Sequence, residues 1–409
     1  MSQWEVAVPG SVRGSLDQCV KCTICESACP VMAVTGLFLG PKTVGPQAER
    51  FRAGEHSPDH SVDYCSGCGV CTRVCPQGVR IAEINSRAKA QLRVEHGSRL
   101  RDQLIARPDL IGRMARPVAP IFNWAMSNPA LRVAAQRTLG IHHSAPLPRA
   151  TTRTLGYRLR RRRPRSQTGP RIVYFHGCST NYFEPRVGQM TIAVLEHNGF
   201  QVEVPRQGCC GLPLQSNGLY PAAREYIRRL TAQLSEPGLA GLDVVATSTS
   251  CGLMVKREAI EILGVEDRPL HALAARTYDL FEFLRQRYER GEFRTDFVEV
   301  PLTVAYHAPC QQQNQQIGKP VLDVLALVPG LRLVELDRDC CGIAGTYGTK
   351  VENYDIAMRV GAPLFADIQD VHPDLVLCDS ETCRWQIAHG SGVPSVHPVE
   401  ILFKAYGGR

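Results

Sequence analysis

Two copies of one cysteine run set the first constraint on how this chain can fold. The first has Cys19, Cys22, Cys25 and Cys29 followed by Pro30, and the second has Cys65, Cys68, Cys71 and Cys75 followed by Pro76. Each reads C-x2-C-x2-C-x3-C-P. Three cysteines two residues apart on a tight loop can offer three thiolates to one inorganic body, so a four-liganded site must take its fourth from elsewhere in the chain. Zinc ribbons also use C-x2-C, but as pairs of cysteines rather than as fours with a proline behind them. The chemistry that suits this spacing is a cubane iron–sulfur cluster, one for each copy.

The spacing resembles that of bacterial two-cluster ferredoxins. In that architecture the last cysteine of each run serves the other run's cluster. The resemblance therefore implies Cys19, Cys22, Cys25 and Cys75 on one [4Fe-4S] cluster and Cys65, Cys68, Cys71 and Cys29 on the second. Between the runs, GPKTVGPQAERFR at Gly40 to Arg52 is rich in proline and glycine and predicts a loop with at most one helical turn, lying over one cluster. From Ile81 to Glu95 the apolar positions Ile81, Ile84, Ala88 and Leu92 fall on one helical face, predicting the helix that closes a ferredoxin-like domain over residues 1–95.

Seventeen cysteines in a short secreted chain would suggest a disulfide scaffold, yet residues 1–14 lack the basic start and apolar run of a signal peptide. The expectation is metal ligation in a reducing cytoplasm. No uninterrupted apolar stretch approaches 18 residues, so no membrane span is expected. Residues 96–168 form a helical and arginine-rich linker: basic and apolar positions alternate over residues 98–148 in the manner of short amphipathic helices, and Arg149 to Arg165 holds eight arginines with no acidic residue. That charge equals the whole chain's net +8. Such a run is a solvated linker or a patch for the anionic cytoplasmic leaflet, with peripheral membrane association. Nucleic acid is disfavoured, because only Tyr157 interleaves the charges to stack on bases.

The second half repeats itself. Cys178, Cys209, Cys210 and Cys251 correspond to Cys310, Cys340, Cys341 and Cys383, at offsets of 132, 131, 131 and 132 residues. In each repeat an apolar strand leads into the first cysteine, a helix-period segment follows, and further strands run up to Cys-Cys-Gly and to the last cysteine. Strands alternating with helices predict two tandem α/β domains on parallel sheets, over residues 169–299 and 300–409. All eight cysteines should then gather at the carboxyl ends of the strands, where such sheets bind ligands. Zinc, metal-free redox thiols and an iron–sulfur cluster are the alternatives for each site, and the adjacent cysteine pairs favour the cluster. His176 and His307, just before the first cysteine of each repeat, are either ligands, hydrogen-bond partners of a sulfur, or packed strand-end residues.

The double ferredoxin run followed by two Cys-Cys-Gly domains resembles the iron–sulfur family of heterodisulfide reductase subunits and of glycolate- and lactate-oxidising complexes. Within it, GPKTVGPQAERFR, CCGIAGTYG and ETCRWQ look like the iron–sulfur subunits of anaerobic glycerol-3-phosphate dehydrogenases. The resemblance implies an electron-transfer subunit that takes electrons from flavoprotein dehydrogenase subunits toward the membrane quinone and anchors them at the inner face of the cell membrane. The heterodisulfide reductase-like and glycolate- or lactate-oxidase roles are the alternatives. No G-x-G-x-x-G follows a strand, so hydride chemistry falls to a partner and no complete dehydrogenase activity is expected of this chain alone. The family ends each Cys-Cys-Gly domain with C-x-x-C, and here Ser248 and Ser380 hold the first position of that pair. Cys378, two residues before Ser380 on the same strand, should face the same side. It is a displaced ligand or a small apolar residue of the sheet.

Overall fold

The computed structural model describes residues 11–52, 59–160, 162 and 168–408. In the N-terminal region the two cysteine runs adopt matching backbones. Lys21 and Thr23 in the first run have φ of 60° and 67°, and Gly67 and Gly69 occupy the same motif positions in the second with 69° and 79°. Left-handed backbone costs a non-glycine residue roughly 1–2 kcal/mol. That the first run tolerates it twice indicates that the loop must bend this way for its thiols to converge. Each run then closes with one helical turn, Ile24–Ser27 and Val70–Arg73.

Residues 41–49 are helical, with a wide turn over Thr43–Gln47, where the proline and glycine content predicts a loop. Burial overrides local propensity here. Val44, Gly45 and Pro46 are buried, Gly45 against Ile81 and Asn85, and the fully buried Arg52 donates to the Val44 carbonyl at 2.6 Å. The segment packs on helix α1 (Ile81–His96), whose buried face includes Ile81, Ile84, Ala88 and Leu92. Four short helices follow: α2 (Leu100–Ile105), α3 (Pro108–Ala115), α4 (Ala119–Ser127) and α5 (Pro129–Leu139). Prolines at the first turn of α3, α4 and α5 both break the chain into pieces and suit a helix start, where no intrahelical N–H partner is lost.

The second half builds two four-stranded, wholly parallel sheets. Strands β1 (Arg171–Phe175), β2 (Gln201–Glu203), β3 (Val244–Ala246) and β4 (Thr277–Asp279) lie in the order β2-β1-β3-β4. Strands β5 (Thr303–His307), β6 (Arg332–Leu336), β7 (Leu375–Leu377) and β8 (Ser395–Val396) repeat it as β6-β5-β7-β8. The inner strands are apolar along their length because helices cover both faces. The main connecting helices are α6 (Pro185–His197), α7 (Tyr220–Leu234), α8 (Leu280–Glu289), α9 (Pro320–Leu325), α10 (Tyr354–Val371) and α11 (Glu381–Ser391). The two halves share a core: Leu195, Phe200 and Phe283 of the first pack with Val304, Val324 and Leu402 of the second. Among the described residues no helix is long and apolar enough to cross a membrane.

Candidate metal centres

Cys19, Cys22, Cys25 and Cys75 line one cavity, together with Lys42 and Ile81. Cys29, Cys65, Cys68 and Cys71 line another, together with Phe38 and Pro41. The last cysteine of each run thus stands among the first three of the other. The helical segment over 41–49 sends Pro41 to one cavity and Lys42 to the other, so it lies between both rather than over one.

The two cavities differ in access. Cys22 is exposed and Cys19 and Cys75 are half-buried, whereas Cys29, Cys68 and Cys71 are buried. Burial pushes the Cys25 and Cys29 thiols up to about 11, with neighbouring thiolates adding to the shift. Cys68 and Cys71 are raised further, again by burial first and then by the surrounding thiols. Thiols gathered this densely are stable as thiolates only around cationic metal, which displaces their protons on binding. A single tetrahedral ion would draw sulfurs to about 2.3 Å from one point. Among the described residues no three His, Cys, Asp or Glu side chains close to single-ion spacing. Thiols lining the wall of a cavity fit a larger body, and these residues suit a cubane cluster in each.

In the sheets, Cys178 begins the helix after β1, Cys209 and Cys210 follow β2, and Cys251 lies in the helix after β3. The Cys210 and Cys251 sulfurs are 3.4 Å apart, and Cys209 is hydrogen-bonded by Cys178 and Cys210. In the second repeat Cys310 pairs with Cys340, and Cys341 with Cys383. Each Cys-Cys pair is followed by a left-handed glycine, Gly211 at φ +85° and Gly342 at φ +90°. A Cβ on Gly342 would lie 1.9 Å from the Ala357 carbonyl oxygen of α10, so only glycine lets the pair turn this close to the helix. Backbone N–H groups point at sulfur from that turn: Gly211 to Cys209 at 3.5 Å and Gly342 to Cys340 at 3.3 Å. Donors of this kind favour the thiolate. One thiol in each site is held well below its usual range by hydrogen bonds from its neighbours, Cys209 by Cys178 and Cys210, and Cys383 by Cys341 and Cys378.

Ser248 and Ser380, each three residues before the last cysteine of its repeat, are put to different uses. Ser248 Oγ donates to Glu381 Oε2 at 3.1 Å, across the junction between the repeats. Ser380 hydrogen-bonds Cys383 within its own site. Cys378 is fully buried and its thiol reaches Cys383, so it joins the second site. Its counterpart in the first repeat is Ala246, at the same place relative to Ser248 and Cys251.

The centres are contiguous. Cys29 and Cys68 share one buried cluster with Cys310 and Cys340, and the Cys68 and Cys340 thiols act on one another. Polar clamps hold this junction: Arg73 pairs with Asp339 at 2.6 Å and donates to Asn314 Oδ1 at 2.9 Å, and Asn314 donates to the Cys68 carbonyl at 3.2 Å. On the other side, Gln315 donates to the Thr249 carbonyl at 3.0 Å, two residues before Cys251. Burial, and then the neighbouring Cys209, raises the carboxyl of Asp109 on α3. None of Asn314, Asp339, Gln315 or Asp109 is singled out by spacing or periodicity, because each acts through a contact with a residue remote in sequence.

A dicluster ferredoxin fold joined to paired Cys-Cys-Gly sheets defines an iron–sulfur protein of the cysteine-rich oxidoreductase class. The 4Fe-4S dicluster domain model matches residues 15–79 and the cysteine-rich domain model matches residues 172–256 and 304–388, which makes this a [4Fe-4S] protein. One of the subunits of the anaerobic glycerol-3-phosphate dehydrogenase of Escherichia coli (strain K12) is 36% identical over 398 residues, covering 96% of this chain and 98% of the relative, and the chain belongs to the family of that protein. More distant are a subunit of the dihydromethanophenazine:CoB–CoM heterodisulfide reductase of Methanosarcina barkeri, at 24% identity over 96% of this chain and 94% of the relative, and the glycolate oxidase iron–sulfur subunit of Escherichia coli (strain K12), at 24% over 95% and 94%.

Proposed function

We propose that this chain is the electron-transfer subunit of a glycerol-3-phosphate dehydrogenase complex, receiving electrons from flavoprotein subunits and delivering them toward a quinone at the cytoplasmic face of the membrane. The observation that carries the reading is the contiguity of the thiol sites. The exposed Cys22 edge offers an entrance, the cavity of the buried Cys29, Cys68 and Cys71 and the half-buried Cys65 comes next, and the Cys340 site abuts it. When bound, the clusters supply one-electron carriers. The chain's own contribution is to hold them near one another, exclude water from the inner ones and, through the Arg73, Asn314 and Asp339 clamp, fix the two halves in register. In a test, purified flavoprotein subunits with glycerol 3-phosphate should bleach the cluster absorbance of this protein anaerobically, and a water-soluble quinone should restore it. Absence of bleaching by the reduced flavoprotein would remove the reading.

For the membrane, α2 to α5 offer a supporting surface beside the arginine run. Of the run, Arg161, Arg163 and Arg165 lie outside the described residues, Arg162 and Arg158 are engaged with Glu196 and Gln189, and Arg149, Arg153 and Arg160 are exposed. Across α2 to α5, Leu100, Met114, Ile121 and Trp124 are between 63% and 68% exposed. Arg99, Arg113, Arg116 and Arg137 are exposed among them, while the acidic residues of this stretch, Asp102 and Asp109, are buried. Exposed apolar and cationic side chains, with the carboxylates of the stretch buried, match an anionic lipid interface. Ile121→Ser with Trp124→Ser should release the protein from sedimenting vesicles of anionic lipid, and undiminished co-sedimentation would count against this surface.

A further inference from the structure

The two Cys-Cys-Gly sites are built on the same topology but do not present the same groups. In the first repeat His176 is tied down: its Nδ1 is 2.6 Å from the Gly177 carbonyl oxygen, and its backbone N–H donates to Gln207 at 2.9 Å. His307, the last residue of β5, is fully buried, and neither ring nitrogen has a hydrogen-bond partner among the described residues. A buried polar group left unpaired costs about 1–3 kcal/mol. A neutral imidazole always carries one N–H donor, so His307 has a donor that nothing among the described residues receives.

The strand register says where that ring stands. Tyr306 of β5 is abreast of Leu377 of β7, so the next residues, His307 and Cys378, come abreast at the carboxyl end of the sheet. Cys378 hydrogen-bonds Cys383, and the Cys383 thiolate also acts on His307. The imidazole therefore lies against the sulfurs of the second site, whereas in the first repeat the register sets Phe175 beside Ala246 and offers no ring N–H at that place.

We propose that His307 donates a ring N–H to a sulfur of the group bound at the second cysteine-rich site, setting that site's potential above that of the first. This rests on the reading of the site as an iron–sulfur centre. Hydrogen bonds to cluster or ligand sulfur favour the reduced, more negative state and raise the potential. The two repeats would then differ in potential although their main cysteine sets match.

The test is an anaerobic redox titration of the full chain followed by electron paramagnetic resonance, with the signal of the second site identified as the one that Cys341→Ala abolishes. In His307→Leu that signal's midpoint should fall, with iron and sulfide content unchanged, and His307→Gln, which keeps an N–H donor, should recover part of the shift. His176→Leu should leave the same midpoint where it is. An unshifted midpoint in both His307 variants overturns the proposal. So does loss of iron from His307→Gln, which would make the imidazole a ligand. Because no flavoprotein or quinone takes part, the proposed electron relay could fail while this result stands, and the reverse.

Discussion

Cys75→Ser should abolish one cluster of the dicluster region and leave its neighbour intact. The serine keeps the size of the side chain and most of its packing, but its hard, weakly acidic oxygen is a poor donor to iron that selects thiolate. Cys75 lines the cavity of Cys19, Cys22 and Cys25, and its sulfur also accepts from the Val79 N–H at 3.4 Å. The variant therefore leaves three thiols there, while Cys29, Cys65, Cys68 and Cys71 are untouched. Iron and acid-labile sulfide should fall by one cluster's complement. Cys29→Ser should produce the same loss from the other cavity, and the two variants should each retain the resonance that the other loses. If Cys75→Ser and Cys68→Ser erase the same signal, the crossed ligation is wrong.

The other large effect is expected far from any proposed ligand. Arg384 is fully buried at the junction of the repeats, pairs with Glu184 from the first and donates to the Cys378 carbonyl at 2.8 Å. Trp385 Nε1 donates to the other Glu184 oxygen at 2.9 Å. Glu381, which accepts from Ser248, is half-buried, and burial raises its carboxyl while Arg384 opposes the shift. Removing one member of a buried ion pair leaves an uncompensated charge, a loss of about 3–5 kcal/mol. Arg384→Leu should therefore lower the stability of the anaerobically purified protein by that amount, read as the change in denaturant midpoint at constant slope. Arg338→Leu is the control. Arg338 pairs with Asp367 at 2.6 Å on the surface, where such pairs contribute about 0–1 kcal/mol. Equal shifts in the two variants would mean that the buried junction adds nothing.

Much of the metal chemistry was legible in the sequence for a local reason. A cluster loop must present its thiols within a few residues, so the C-x2-C-x2-C-x3-C spacing of Cys19 to Cys29 and Cys65 to Cys75 is written along the chain. The constant offset of the Cys-Cys-Gly repeats is likewise linear. Strands β1, β3, β5 and β7, buried between helices, show as apolar runs. The closing strands β4 and β8 do not, because Thr277–Asp279 and Ser395–Val396 are short and carry polar residues. The helix over 41–49 was hidden for the opposite reason: its prolines and glycines argue for a loop until burial of Val44 and Arg52 against α1 outweighs them.

Only the folded chain decides the rest, since it depends on which remote residues meet. Nothing along the sequence brings Cys68 beside Cys340, aims Ser248 at Glu381 rather than at a metal, or turns the α2 to α5 apolar residues outward with their carboxylates inward. His176 and His307 both come just before the first cysteine of a repeat, but the register places His307 beside Cys378 and Phe175 beside Ala246, and packing satisfies the His176 ring while leaving the His307 ring without a partner among the described residues. Spacing along a chain determines which thiols can share a loop. The energy of burying polar and charged groups, which is settled only when distant segments close over them, determines what surrounds each site.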